Sequence, residues 1–250
     1  MRFSVCIPCF FPKTDFADAV RRVGALGYDA AEGWGWNGVD IDSVKKACAE
    51  SRVELVSMCT SCFRMTDPAC RDEWLEGLIK SCADAEKLGV QKLITQVGPD
   101  TGAPREIQHA SIAENLRRAI PILEESGVTL MIEPLNTLVD HRGYYLVHAR
   151  EGFDLVREVD HPQVKMVFDI YHQQVSEGNI IPNITNNLDC IAHLHAAGHP
   201  GRHELQRGGS DYKFIFDAAE KAGYAGLCGL EYFPTADAEE SLLTAKRIYG

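Results

Sequence analysis

The chain is predicted to fold as one (β/α)8 barrel spanning residues 1–250. Three observations carry that expectation. Short apolar runs alternate with helical patterns from end to end, giving eight strand–helix units. The length, 250 residues, is that of one such barrel, and no linker or low-complexity segment divides it. An open, doubly wound sheet would call for a glycine-rich phosphate loop after the first strand, yet no G-x-G-x-x-G stands there and the P-loop pattern is also absent.

The elements follow in order. The first strand, Phe3 to Ile7, leads to a helix from Phe16 to Leu26 for which Asp15 is the natural N-cap. A second strand, Tyr28 to Glu32, opens the aromatic loop Gly33-Trp34-Gly35-Trp36. A helix near Ile41 to Ala49 precedes a third strand, Glu54 to Cys59, and the loop Thr60 to Ala69 runs into a long helix from Asp72 to Leu88 that Gly89 should stop. Lys92 to Gln96 form the fourth strand. The helix after it, Ile107 to Ser126, contains Pro121, which should kink it or mark its final turns. The fifth strand is Thr129 to Glu133. A helix from Ala149 to Val159 then leads to the sixth strand, Val164 to Asp169. A helical region and a Pro/Asn-rich stretch bring the chain to the seventh strand, Ile191 to Ala196. The helix Tyr212 to Ala222 ends at Gly223, the eighth strand is Gly226 to Glu231, and a helix from Ala238 to Ile248 closes the set.

Composition narrows the function classes. Hydrophobic residues at 45% and charged residues at 24% suit a globular enzyme with a large core. A net charge of −11 argues against a general nucleic-acid surface, since phosphate binding relies on clustered Lys and Arg, and Arg21-Arg22 and Arg117-Arg118 are isolated pairs. No segment approaches the ~20 apolar residues of a membrane span. The opening Met1 to Pro8 does not read as a signal peptide, and nine cysteines, an odd number, fit free thiols in a reducing cytoplasm. Two pairs, Cys6/Cys9 and Cys59/Cys62, have C-x-x-C spacing; they read as structural thiols rather than a zinc site, because each lies at a strand end without a zinc-knuckle turn.

Four strand endings carry the chemistry. Leu130-Met131-Ile132 runs into Glu133, Val167-Phe168 into Asp169, Leu194 into His195, and Gly229-Leu230 into Glu231. In a closed barrel all strands end at one mouth, so these four side chains should converge. Three carboxylates and one imidazole suit a divalent cation such as Mg²⁺, Mn²⁺ or Co²⁺, with Zn²⁺ also compatible. A cation across a carbonyl and its neighbouring hydroxyl steadies an enediolate, while one glutamate takes a proton and a second returns it. Glu133 and Glu231 are the expected pair.

Other residues are assigned around them. His172, three after Asp169, faces the same side of a helical turn and either holds a substrate oxygen or caps that turn. His193 points into the barrel one layer below His195. Arg202 either pairs with a carboxylate at the mouth or is a solvated arginine. Phe10, Trp34 and Trp36 form either an apolar wall at the mouth or a subunit contact.

The segments Ile132-Glu133-Pro134-Leu135-Asn136, Gly143-Tyr144-Tyr145-Leu146, Phe168-Asp169-Ile170-Tyr171-His172, Pro200-Gly201-Arg202-His203-Glu204 and Gly229-Leu230-Glu231-Tyr232 together resemble the hydroxypyruvate isomerase group of the xylose isomerase-like TIM barrels, over nearly the whole chain. The resemblance implies a metal-dependent isomerase of a small sugar or keto-acid, with Glu133 and Glu231 as acid/base pair and Glu133, Asp169 and Glu231 as ligands. It further implies substrate contacts from His172 and Arg202, a role at the mouth for Glu32, and a homo-oligomer. Several positions depart from the pattern and bear on the substrate. Such isomerases usually have glutamine where His195 stands, and histidine there resembles the ketose 3-epimerases of the tagatose/allulose type. They also tend to carry glutamate at the position of Gly209 and a basic residue near Pro99, whereas the epimerases usually have glutamate where Val139 stands. Epimerase, lyase or dehydratase chemistry is therefore the alternative on the same enediolate. A DNA-repair endonuclease and a non-catalytic sugar-binding barrel are the readings from other classes.

Overall fold

A computed structural model describes residues 1–250 and contains a closed barrel of eight parallel strands in sequence order, β1 to β8, each paired with its neighbours and β1 with β8. The strands are β1 Arg2–Cys6, β2 Ala30–Gly33, β3 Glu54–Cys59, β4 Lys92–Thr95, β5 Thr129–Ile132, β6 Val164–Asp169, β7 Ile191–Ala196 and β8 Leu227–Leu230. The helices are α1 Ile7–Phe10, α2 Phe16–Ala25, α3 Ile41–Ser51, α4 Arg71–Leu88, α5 Arg105–Ser126, α6 Ala149–Val159, α7 Ile170–Ser176, α8 Ile180–Thr185, α9 Tyr212–Lys221 and α10 Ala238–Tyr249. No helix is long and apolar enough to cross a membrane.

Local signals explain most boundaries. Asp15 caps α2 by accepting from the Ala17 and Asp18 amides, and Gly89 ends α4 in the left-handed region at φ 74°. Pro121 lies within α5, which continues to Ser126 in its last turns. Three expectations shift. β1 stops at Cys6, because Pro8 is well placed to open a helix, and one turn of helix, α1, begins at Ile7. β2 starts at Ala30 rather than Tyr28; Tyr28 is buried outside the barrel, where its hydroxyl donates to the Leu242 carbonyl of α10. The Pro/Asn-rich stretch before β7 forms the short helix α8, where Pro182 stands in the first turn and its missing N–H is not needed.

Most of the core is a continuous layer between strands and helices, with Trp74, Phe168 and Tyr212 among its largest buried members. The barrel's inside is divided. A small apolar cluster, Cys59, Ile94, Met131 and Val167, occupies the side lined by β3 to β6. On the other side the interior is polar: Ser4, Glu32, Ser57, His193 and His195 are all buried. Filling part of a barrel with hydrogen-bonding side chains rather than branched aliphatics forgoes hydrophobic stabilisation. That polar sector lies directly beneath the strand endings singled out above.

Candidate active site

A cavity of about 500 Å³ opens at the carboxyl ends of the strands and is lined by, among others, Trp34, Glu133, His172, His195, Arg202 and Glu231. Ligating atoms of Glu133, Asp169, His195 and Glu231 lie within 4.8 Å of one another, and all four residues are buried. The structure thus brings together the four residues expected to converge.

Each is aimed by its local fold. Glu133 follows the last residue of β5, and Pro134 prevents the strand from continuing. Its main chain is held by Tyr144, whose hydroxyl donates to the Glu133 carbonyl at 3.0 Å while accepting from the Val97 amide at 2.8 Å. Asp169 ends β6 and caps α7: Oδ1 accepts from the Tyr171 amide (2.7 Å) and the His172 amide (3.1 Å), which leaves Oδ2 facing the cluster. Glu231 accepts from Trp34 Nε1 at 2.6 Å on one oxygen and from Arg202 Nη2 at 2.5 Å on the other. Arg202 is itself held in the left-handed region at φ 56°, an uncommon conformation for a residue other than glycine, with its guanidinium over the rings of Tyr171 and Phe233.

His195 is the pivot. Its Nδ1 lies 3.4 Å from Glu133 Oε1 and 3.3 Å from Glu231 Oε2, and its Nε2 lies 3.4 Å from Glu32 Oε1. Glu32 occupies the layer below: Oε2 accepts from Ser4 (3.3 Å), Ser57 (3.1 Å) and His193 Nε2 (2.9 Å). The expectation of Glu32 at the mouth is therefore corrected, since it does not line the cavity. The register between β2 and β3 shifts at Ala31/Glu32, and such an irregularity re-aims a side chain, here into the barrel. Gly229 leaves the space for this contact. A β-carbon there would collide with Glu32 Oε1 and stand 2.7 Å from His195 Cδ2.

Electrostatics follow from burial and crowding. Burial, and then the Glu231 charge, push the Asp169 carboxyl up to about 7. Burial also opposes ionisation of Glu231, but Arg202 and His195 outweigh it and hold that carboxyl well below the usual range. Burial disfavours a charged His195, yet the Glu32 and Glu231 carboxylates raise its imidazole well above the ordinary value. Glu32 is lowered despite burial by His195 and His193.

The donor set fits a divalent cation. Glu133 Oε1 and both ring nitrogens of His195 are buried without a hydrogen-bond partner, and buried polar atoms in proteins are rarely left so. Three carboxylates and an imidazole suit Mg²⁺, Mn²⁺ or Co²⁺.

The remaining assigned residues fall into place around this centre. His172 lines the cavity, fully buried, with Nε2 unpartnered, and Trp34 is 43% exposed at the rim. His193 sits below His195 as its spacing requires. Trp36 instead donates to the Cys59 carbonyl, and Phe10 packs edge-on against Tyr232. All nine cysteines are free, and no cluster of potential ligands includes one. Sequence reasoning gave no role to Tyr144, Asn136, Ser4, Ser57 or Gly229. The only signal for Ser4 and Ser57 was a small polar residue inside an apolar strand.

Residues 20–248 match the xylose isomerase-like TIM-barrel family, and the chain belongs to it. Among relatives, the hydroxypyruvate isomerase of Escherichia coli (strain K12) is 29% identical over 251 residues, covering 97% of each chain. A family 2 AP endonuclease from Brucella melitensis superposes with a TM-score of 0.94 at 25% identity, over 100% of this chain and 99% of that one. A D-psicose 3-epimerase from Clostridium cellulolyticum, solved with D-tagatose, has a TM-score of 0.82 at 20% identity over 100% and 99% of the two chains, a likeness of fold.

Proposed function

We propose that this protein is a divalent-metal-dependent isomerase that interconverts a small hydroxy-aldehyde and hydroxy-ketone, as hydroxypyruvate isomerase does. One observation carries the reading: two buried glutamates, Glu133 and Glu231, face one cavity from either side of His195 Nδ1, at 3.4 and 3.3 Å. Glu133, Asp169, His195 and Glu231 would hold the cation. When bound, a divalent cation supplies Lewis-acid polarisation of a carbonyl and its neighbouring hydroxyl.

The protein's own groups do the rest. One glutamate removes the proton from the hydroxyl-bearing carbon next to the carbonyl, the other returns a proton to the former carbonyl carbon, and the hydroxyl proton passes to the former carbonyl oxygen. Trp34 and Arg202 fix both oxygens of Glu231, so its carboxylate is oriented before substrate arrives. Arg202 and His172 offer N–H groups to substrate oxygens from buried positions, where a hydrogen bond is worth more than in water. Trp34 stands at the rim of the cavity, with Cys59, Ile94 and Leu135 among its apolar lining.

A second reading, epimerisation next to a ketone, is favoured by His195 as the nitrogen ligand and by the size of the cavity, about 500 Å³. The formal net charge, −11, speaks against the endonuclease reading. Incubation of metal-loaded protein in D₂O with hydroxypyruvate and a panel of ketoses, followed by NMR, tests the proposal. Deuterium beside the carbonyl together with an aldose–ketose product supports isomerisation. Inversion at that carbon supports the epimerase, loss of water supports a lyase, and no exchange with any compound contradicts all three.

A further inference from the structure

The amide of Asn136 has its orientation fixed by the turn it closes. Its Oδ1 accepts from the main-chain amides of Val139 (3.0 Å) and Asp140 (3.2 Å). The NH₂ group must then face the other way, where it meets Asp140 Oδ2 at 2.8 Å and His172 Nδ1 at 2.7 Å. The Tyr171 hydroxyl donates to the same Asp140 oxygen at 2.8 Å and keeps that carboxylate in place. Flipping the amide would set an oxygen against a carboxylate and an NH₂ against two N–H groups, so one orientation prevails. The main-chain amide of Asn136 also donates to His172 Nδ1, at 3.2 Å.

His172 Nδ1 is therefore an acceptor from two N–H groups and has no room for a proton of its own. In a neutral imidazole the proton then sits on Nε2. That nitrogen is fully buried, has no hydrogen-bond partner, and belongs to a ring that lines the cavity. The nearest charged atom, Asp169 Oδ2, is 3.6 Å away, beyond hydrogen-bond reach. Arg202 Nε, on the same cavity, is also a buried N–H without a partner.

We infer that Asn136 is a positioning residue that locks His172 as the Nε2–H tautomer, making it a fixed hydrogen-bond donor to an acceptor oxygen of the substrate and not a carrier of protons. The part concerning substrate rests on the isomerase reading; the tautomer does not. A buried N–H facing the cavity fits an acceptor oxygen of the substrate, carbonyl or alkoxide-like, and Arg202 Nε is a second such donor on the same cavity. A donor fixed in this way costs no reorganisation when charge develops on that oxygen.

The tautomer is read directly by two-dimensional ¹⁵N–¹H NMR on protein labelled at histidine nitrogens. The expected pattern for His172 is an unprotonated Nδ1 and a protonated Nε2; a protonated Nδ1 overturns the lock. Kinetics of His172→Gln and His172→Leu test the consequence. The Asn136 donors should select the oxygen of the glutamine amide and leave its NH₂ on the cavity. His172→Gln should then lose no more than about tenfold in kcat, against about 10² to 10³ for His172→Leu. If the two variants are equally impaired, the donor role fails and His172 moves protons. Should either variant misfold, Asn136→Asp offers a second route: it places an acceptor at Nδ1, and the NMR pattern should change to a protonated Nδ1. An unchanged pattern would overturn the lock. The expected tautomer in a protein that turns over no hydroxy-carbonyl compound supports the lock and overturns the isomerase reading.

Discussion

Two groups of acids and histidines share the inside of this barrel, two residues apart along β7, and they differ in whether they open on the cavity. In the lower group, one oxygen of Glu32 takes three donors, from Ser4, Ser57 and His193, while its other oxygen lies 3.4 Å from His195 Nε2 without a hydrogen bond and the group does not line the cavity. In the upper group, Glu133 Oε1 and His195 Nδ1 face each other at 3.4 Å with no hydrogen bond. A carboxylate oxygen held by three donors below the cavity has a structural job, whereas ligand atoms of Glu133 and His195 left unpartnered beside an open cavity are placed to receive a ligand. The lower group thus backs His195 through Glu32, 3.4 Å from its Nε2, and the upper group is the one that would hold a cation in the proposed reading. Outer carboxylates that orient a ligating histidine commonly set both its tautomer and its basicity.

The sharpest way to break this contrast is at its upper member. Glu133→Gln keeps size and removes charge; it should lower kcat by about 10² to 10⁴ and weaken metal binding, read by steady-state kinetics and calorimetry. An active variant would remove Glu133 from both roles. Below it, Glu32→Gln should leave the four ligands in place yet weaken metal affinity by about 10- to 100-fold. Gly229→Ala, which crowds the Glu32–His195 contact, should act in the same direction. If both variants bind metal as the wild type does, the lower group is scaffolding only.

A smaller, graded effect follows from pH. Metal binding needs Asp169 ionised and His195 neutral, so it must displace protons that burial and neighbouring carboxylates retain. Affinity should therefore rise with pH, by about tenfold per unit for each displaced proton, and the Asp169 contribution should level off above about 7. The metal-free protein should show the opposite sign in stability. A carboxyl raised in the folded state binds more protons there than when unfolded, so its contribution favours the fold at low pH and is lost as pH rises toward about 7. Metal titrations and thermal melts at pH 5.5 to 8.5 would check both; an affinity that does not change with pH would contradict the first.

The contrast also shows what the amino-acid sequence can disclose. The upper group was legible because each of its members ends an apolar run, and a closed barrel brings all such endings to one mouth. Glu32 also ends the expected second strand, but its place at the mouth was implied by the resemblance and not by that logic; the register shift at Ala31/Glu32 that turns it inward involves a pairing with β3 that no local pattern encodes. Asn136 stood within a motif that could be quoted but not interpreted, because its partner His172 lies 36 residues away. Gly229 had no signal at all, since its requirement is the space used by side chains from β2 and β7. Fold boundaries missed for a related reason. Tyr28 is apolar and next to a strand, yet what buries it is α10, from the far end of the chain.

The central claim is that the upper group is a metal centre. Calorimetric titration of Mn²⁺ into metal-stripped wild-type protein and into Asp169→Asn, with thermal melts of each, tests it most directly. The account predicts one equivalent bound to the wild type with a rise in Tm that grows with Mn²⁺ concentration, and loss of both in the variant. Equal binding by the two proteins, or none by the wild type, would contradict it.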